Sequence, residues 1–125
     1  MKRTEYLTLE EAVAIHDDLI ARFGGAQGIL DRGILESALA RARSGYYPTL
    51  SAQAAALLHS LTLNHAFIDG NKRTAFVSMV IFLKLNGARP RFPTASTERF
   101  IIEQIVTKRV QLDEIITWIE RHLAP

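Results

Sequence analysis

A chain of 125 residues that is 48% apolar and 22% charged has the proportions of one soluble globular domain, which excludes disordered, collagen-like and mucin-like classes. It contains no cysteine, so disulfides, thiol catalysis and Cys-ligated zinc or iron–sulfur sites are excluded too, as fits a reducing cytosol. The formal charge of +2 is too small to announce a nucleic-acid binder, although five cations and no acid fall between Gly70 and Arg91 (Lys72, Arg73, Lys84, Arg89, Arg91).

The chain opens Met1-Lys2-Arg3-Thr4-Glu5-Tyr6, and no apolar stretch follows that could serve as a signal peptide. The most apolar run, Ala75 to Leu83, contains Ser78 and is far shorter than a bilayer span. A cytoplasmic protein without membrane contact is expected. There is no internal repeat, low-complexity tract or linker, so residues 1–125 are expected to form one domain. Helical periodicity dominates throughout.

Thr8-Leu9-Glu10-Glu11 is a capping box. It opens a helix with Ala12, Ile15, Leu19 and Phe23 on one stripe, stopped by Gly24-Gly25. A glycine-punctuated connection runs to Gly33. A second helix spans about Ile34 to Arg43, with Ile34, Leu35, Ala38 and Leu39 inward, and Ser44-Gly45-Tyr46-Tyr47-Pro48 breaks it. A third helix, rich in Ala and Leu, runs from near Ser51 to Leu63. The fourth, about Lys72 to Asn86, is apolar nearly all round between Thr74 and Leu83, the pattern of a helix at the centre of a bundle, with Phe76, Met79, Val80 and Leu83 in the core. Asn86-Gly87 ends it. Two amphipathic helices follow, about Ser96 to Lys108 and Leu112 to Leu123. The predicted fold is all-α, a bundle of about six helices around a central apolar helix.

Between the third and fourth helices stands His65-Ala66-Phe67-Ile68-Asp69-Gly70-Asn71-Lys72-Arg73. The first N–H groups of a helix have no internal partner and sit at the positive end of its dipole, which makes them an anion site. Gly70 lets the backbone turn so that successive N–H groups converge. Asn71 adds a neutral donor, while Lys72 and Arg73 add charge suited to phosphate. Lys and Arg oppose the dipole at a helix start, so their presence there argues for a nearby anion. Asp69 cannot bind phosphate but can hold a Mg²⁺ that does. His65 can exchange a proton near neutral pH. These are the parts that phosphoryl or nucleotidyl transfer requires.

HAFIDGNKR resembles the signature of the Fic/Doc family, and specifically its Doc (death-on-curing) toxin branch. Six positions match: His65, Phe67, Asp69, Asn71, Lys72 and Arg73. Upstream, Ile15-His16-Asp17, Gly24-Gly25, Gly28, Asp31, Gly33 and Glu36 fall where Doc-like proteins carry a similar pattern, so the resemblance covers most of the chain. It implies the Fic/Doc-like fold. It also implies that His65 is the general base, that Asp69 binds Mg²⁺, and that Gly70, Asn71, Lys72 and Arg73 hold the phosphates of ATP. Phe67 is implied to anchor the loop in the core. Most family members transfer AMP and carry Pro at the position of Ala66 and Gly at that of Lys72. Doc-branch proteins carry this Lys. By resemblance they move the terminal phosphate of ATP to a threonine of elongation factor Tu, halting translation. They are neutralised by a small antitoxin, expected here to bind through an amphipathic or disordered segment.

Other readings compete. AMP transfer is the near alternative to the kinase. A non-catalytic nucleic-acid or regulatory module is the distant one, but there is no recognition-helix pattern and no aromatic interleaving for stacking, so nucleic acid is not expected as a partner. A transition-metal site at His65 and Asp69 needs more ligands, and His59, six residues before His65, does not share its helical face. His16 and His122 are read as surface or satisfied helix residues. Tyr46 and Tyr47 are read as partly buried, or else as an edge where a target docks. Some family members restrain themselves with Ser or Thr, Glu four residues on, then Gly or Asn. Thr94 and Glu98 have the spacing, but Arg99 follows, so restraint in trans is expected.

Overall fold

The capping box forms as the sequence requires. In the computed structural model, which describes residues 3–125, the Thr8 hydroxyl accepts from Glu11 N at 3.1 Å and the Glu11 carboxylate accepts from Thr8 N at 2.9 Å. Met1 and Lys2, which open the stretch read as lacking a signal peptide, lie outside the described residues. Six α-helices follow in order: α1 (Leu9–Phe23), α2 (Arg32–Ala42), α3 (Leu50–Leu63), α4 (Asn71–Leu85), α5 (Thr94–Phe100) and α6 (Leu112–Arg121). Asp31 caps α2 by accepting from Ile34 N, and Thr49 caps α3 by accepting from Ala52 N. Among the described residues there is no strand, only the isolated pairs Ile29–Phe67 and Pro90–Leu123. No helix among them is long and apolar enough to cross a membrane.

The sequence puts the helix from Lys72 at the centre, but α3 is the more enclosed. Ten of its 14 residues are buried, against six of 15 in α4. The reason is side-chain size. Ala52, Ala54, Ala55 and Ala56 leave room for α2, α4, α6 and the segment after α5 to approach α3 from several sides. α4 packs on α3 along one side and on α1 along another, with Met79, Phe82 and Leu83 fully buried and Phe76 and Val80 half-buried. Each large buried side chain contributes about 1.5–3 kcal/mol.

Two stretches depart from the periodic reading. The face α1 buries is Ala12, His16, Leu19 and Ile20, while Phe23 is 62% exposed and Ile15 half-buried. The buried face is therefore rotated from the most apolar stripe, because His16 has a partner in another loop. The helix expected over Ser96 to Lys108 is α5 followed by a π-helical segment, Ile101–Thr107. Its wider turn shows in Lys108 N donating to Glu103 O at 3.0 Å and the Thr107 hydroxyl to Ile102 O at 2.8 Å, both across five residues. Arg109, at φ +55°, ends it.

Candidate active site

The loop between α3 and α4 is zipped to the connection between α1 and α2. Leu30 N and Asp31 N both donate to Ala66 O (2.8 and 3.1 Å), and Ile68 N donates to Gly28 O at 3.1 Å. Beneath it, Phe67 is 1% exposed and stacks on the His16 ring, centroids 3.9 Å apart and planes within 6°. His16 is itself 1% exposed, and its Nε2 donates to Asp69 O at 2.8 Å. Of the two readings left open for His16, the structure selects the satisfied histidine, and its partner is the loop. Sequence reasoning gave it no part in the site. The available signal was its place four residues from both Ala12 and Ile20, on the buried face of α1.

Asp69 closes the zipper. Its Oδ2 accepts from Ala26 N at 3.1 Å and its Oδ1 from Gly70 N at 2.8 Å. Gly25 is required beside it: at φ +115°, a Cβ there would lie 2.7 Å from Asp69 Oδ2. The Ala26 N–H, then the Gly70 N–H, hold the Asp69 pKa below its usual 3.8; burial opposes them to a lesser degree, and the neighbouring His16 and Lys72 add still smaller lowering effects. A depressed carboxylate stabilises the fold above its ordinary pKa, and that contribution is lost as pH falls through the lower folded value. In an acid titration followed by NMR, the Ala26 amide is therefore expected to shift with a midpoint below 3.8; a midpoint above 3.8 would contradict the assigned contacts.

The sequence expects Asn71 and the Gly70 backbone to receive phosphate directly. The structure uses two of those groups inside the loop. Asn71 Oδ1 accepts from Phe67 N at 3.0 Å, and its Nδ2 donates to Phe67 O at 2.9 Å. The Gly70 N–H is taken by Asp69. Gly70 stands at the N-cap of α4 with φ +74°, and no side chain caps the helix. The backbone N–H groups of Asn71, Lys72 and Arg73 therefore begin α4 without a capping partner among the described residues.

The residues at this helix start line a cleft of about 500 Å³, within the range of small-molecule sites. Asp69, Gly70, Asn71, Lys72 and Arg73 line it together. Leu19 and Phe23 of α1, and Ile101 and Ile102 of the π-helical segment, add apolar wall. The Arg73 guanidinium lies 4.4 Å from the Phe23 ring centroid, a cation–π contact that gives the exposed Phe23 a role. Thr94 and Glu98 also line the cleft, but no ion pair joins Glu98 to Arg73.

His65 stands apart from that wall. It is exposed at the end of α3, has no hydrogen-bond partner among the described residues, and adopts φ +51°. This left-handed conformation is uncommon outside glycine, although histidine is among the types enriched there. The imidazole is accessible to a macromolecule docking from solvent. Among the described residues no three His, Asp or Glu side chains gather to hold a metal. Asp69 and Glu98 are the carboxylates that line the cleft, and Asp69 keeps lone pairs after its two backbone contacts, an oxygen donor of the type that could hold a hydrated Mg²⁺.

A model of the Fic/DOC family matches residues 6–83, which span α1 to α4 and so include the zipped loops and the start of α4. The cleft's far wall, from α5 and the π-helical segment, lies beyond that match. The chain is 37% identical over 119 residues to the Toxin Doc of Mycolicibacterium smegmatis, covering 90% of this chain and 88% of that protein. It is 38% identical over 88 residues to the Protein kinase doc of Escherichia phage P1, covering 67% of this chain and 70% of that one.

Proposed function

The chain belongs to the Fic/DOC family, and on that premise we propose that it is a Doc-like toxin. In this reading it is a cytoplasmic protein kinase that moves the terminal phosphate of ATP onto a threonine hydroxyl of elongation factor Tu and so inhibits translation. The observation that carries the reading is Lys72 on the first turn of α4, lining the cleft beside uncapped backbone N–H groups. AMP-transferring relatives have glycine there, which leaves room for the inner phosphates. A lysine takes up that room and adds a cation, so the triphosphate would bind differently, and in this reading it presents its terminal phosphorus to the acceptor.

The residues then divide the work. The N–H groups of Asn71, Lys72 and Arg73 and the cations of Lys72 and Arg73 bind phosphate oxygens. The Asn71 side chain acts indirectly, by fixing Phe67 and hence the loop. His65 takes the proton of the threonine hydroxyl, whose oxygen forms a bond to the terminal phosphorus as the bond to the bridging oxygen breaks and ADP leaves. A Mg²⁺ held by Asp69 and the phosphates would neutralise charge on the transferred group. The cleft's apolar wall, with Phe23 and Ile102 exposed, suits an amphipathic segment of a cognate antitoxin.

The test uses ATP labelled at either its α or its terminal phosphate, with elongation factor Tu as acceptor. Terminal label on the acceptor supports the kinase. Label from the α position would mean AMP transfer. Lys72→Gly is expected to lower terminal-label transfer at least about tenfold, the loss of one charge-assisted phosphate contact. Unchanged terminal transfer by that variant would contradict the role given to Lys72.

A further inference from the structure

The far wall of the cleft carries polar groups that no step of the proposed transfer uses. Thr94, Thr97, Glu98, Ile101 and Ile102 line it. Thr94, Thr97 and Glu98 fall at i, i+3 and i+4 on α5, so they share one face of that helix, and that face is turned to the cleft. Thr97 is 2% exposed, and its hydroxyl has no hydrogen-bond partner among the described residues. A buried hydroxyl left unpaired is costly, so it points to a polar ligand at this wall. Glu98 is exposed and joins none of the ion pairs among the described residues, which are His16–Asp17, Arg22–Asp18 and Arg32–Glu36.

The two walls differ in sign. Lys72 and Arg73, with the N–H groups that open α4, stand on one, and the charge of Glu98 stands on the other. Asp69 has both oxygens engaged by backbone N–H groups, whereas the Glu98 carboxylate has no such contact to satisfy it. A free carboxylate repels phosphate, and it accepts hydrogen bonds without donating any. The part of a nucleotide it can bind is therefore an uncharged part that offers donors. The adenine edge sets its one amino group beside a ring nitrogen acceptor, which would face the second carboxylate oxygen. Ribose instead offers two neighbouring hydroxyls, one for each oxygen. Phe23, Ile101 and Ile102 leave apolar surface in the same cleft for the base.

We propose that Glu98 binds the ribose hydroxyls of the nucleotide and makes the cleft selective for ribonucleotides over deoxyribonucleotides. The assignment rests on the reading of the cleft as an ATP site and extends it: the phosphates lie at the start of α4 and the nucleoside lies against α5. Glu98 is then a specificity-determining residue that takes no part in the transfer step.

Calorimetry tests it by measuring the binding of ATP, 2′-deoxyATP and 3′-deoxyATP, each with Mg²⁺, to the full chain and to its Glu98→Ala variant. The substitution alters an exposed side chain and leaves the core intact. In the unaltered protein each deoxynucleotide is expected to bind about tenfold more weakly than ATP, the loss of one charge-assisted hydrogen bond. In Glu98→Ala the three are expected to bind within about twofold of one another. The ratio is the readout, because removing the charge also eases phosphate repulsion and shifts all three affinities together. A carboxylate acting through Mg²⁺ would likewise leave the ratio unchanged. Equal binding of ATP and the deoxynucleotides by the unaltered protein, or a preference for ATP that survives in Glu98→Ala, overturns the ribose assignment and leaves the ATP site standing. No binding of ATP by the unaltered protein overturns both.

Discussion

Replacing His65 with alanine is expected to lower phosphate transfer by about 10²–10⁴-fold, the usual contribution of a general base, with the fold and ATP binding intact. The imidazole is exposed and bonds to no other residue among those described, so removing it takes no support from the loop. The groups proposed to bind phosphate lie on α4, after the zipped loop, and none of them depends on that ring. The loss should therefore fall on kcat and leave the KM for ATP nearly unchanged. Single-turnover transfer with labelled ATP checks it. Full transfer by His65→Ala would remove the base role given to that ring, and full toxicity of the variant in a growing cell would favour a binding module in place of the enzyme.

Phe67→Ala is expected to destabilise the protein by about 3–5 kcal/mol, as large aromatic truncations in closed cores do. Phe67 is fully buried, and its backbone N–H and carbonyl are both held by the Asn71 side chain. Its ring also supports the His16 imidazole that bonds to Asp69 O. The cavity would therefore open beneath the loop that carries the site. Against a typical domain stability of about 5–15 kcal/mol, the loss is severe. Equilibrium denaturation measures it, and a loss under about 1 kcal/mol would mean that the ring does not anchor the loop.

The fold was legible because its signals are local. Thr8 and Glu11, the Gly24-Gly25 stop and the Asn86-Gly87 stop each mark a helix end within a few residues of the element they bound. What escaped depends on contacts between elements. His16 reads as polar, and only the carbonyl of Asp69 and the ring of Phe67 explain its burial. The small side chains of α3 look weakly amphipathic, yet they admit neighbours on several sides and make α3 more enclosed than α4. The π-helical segment has no composition that separates it from an α-helix of the same residues. Within the site, the motif names the residues but not how their groups are used. Asn71 looks like a phosphate donor by type, and its amide proves to be occupied by Phe67. Asp69 looks like a lone metal carboxylate and is also the clasp on Ala26 and Gly70.

Nucleotide binding at the start of α4 is tested most directly by backbone NMR of the His65→Ala protein titrated with ATP and Mg²⁺. The amide signals of Asn71, Lys72 and Arg73 should move together and saturate, because their N–H groups would receive the phosphate oxygens. If those three signals stay still while ATP is added to saturation, α4 does not begin at a triphosphate site and the proposed chemistry has nowhere to occur.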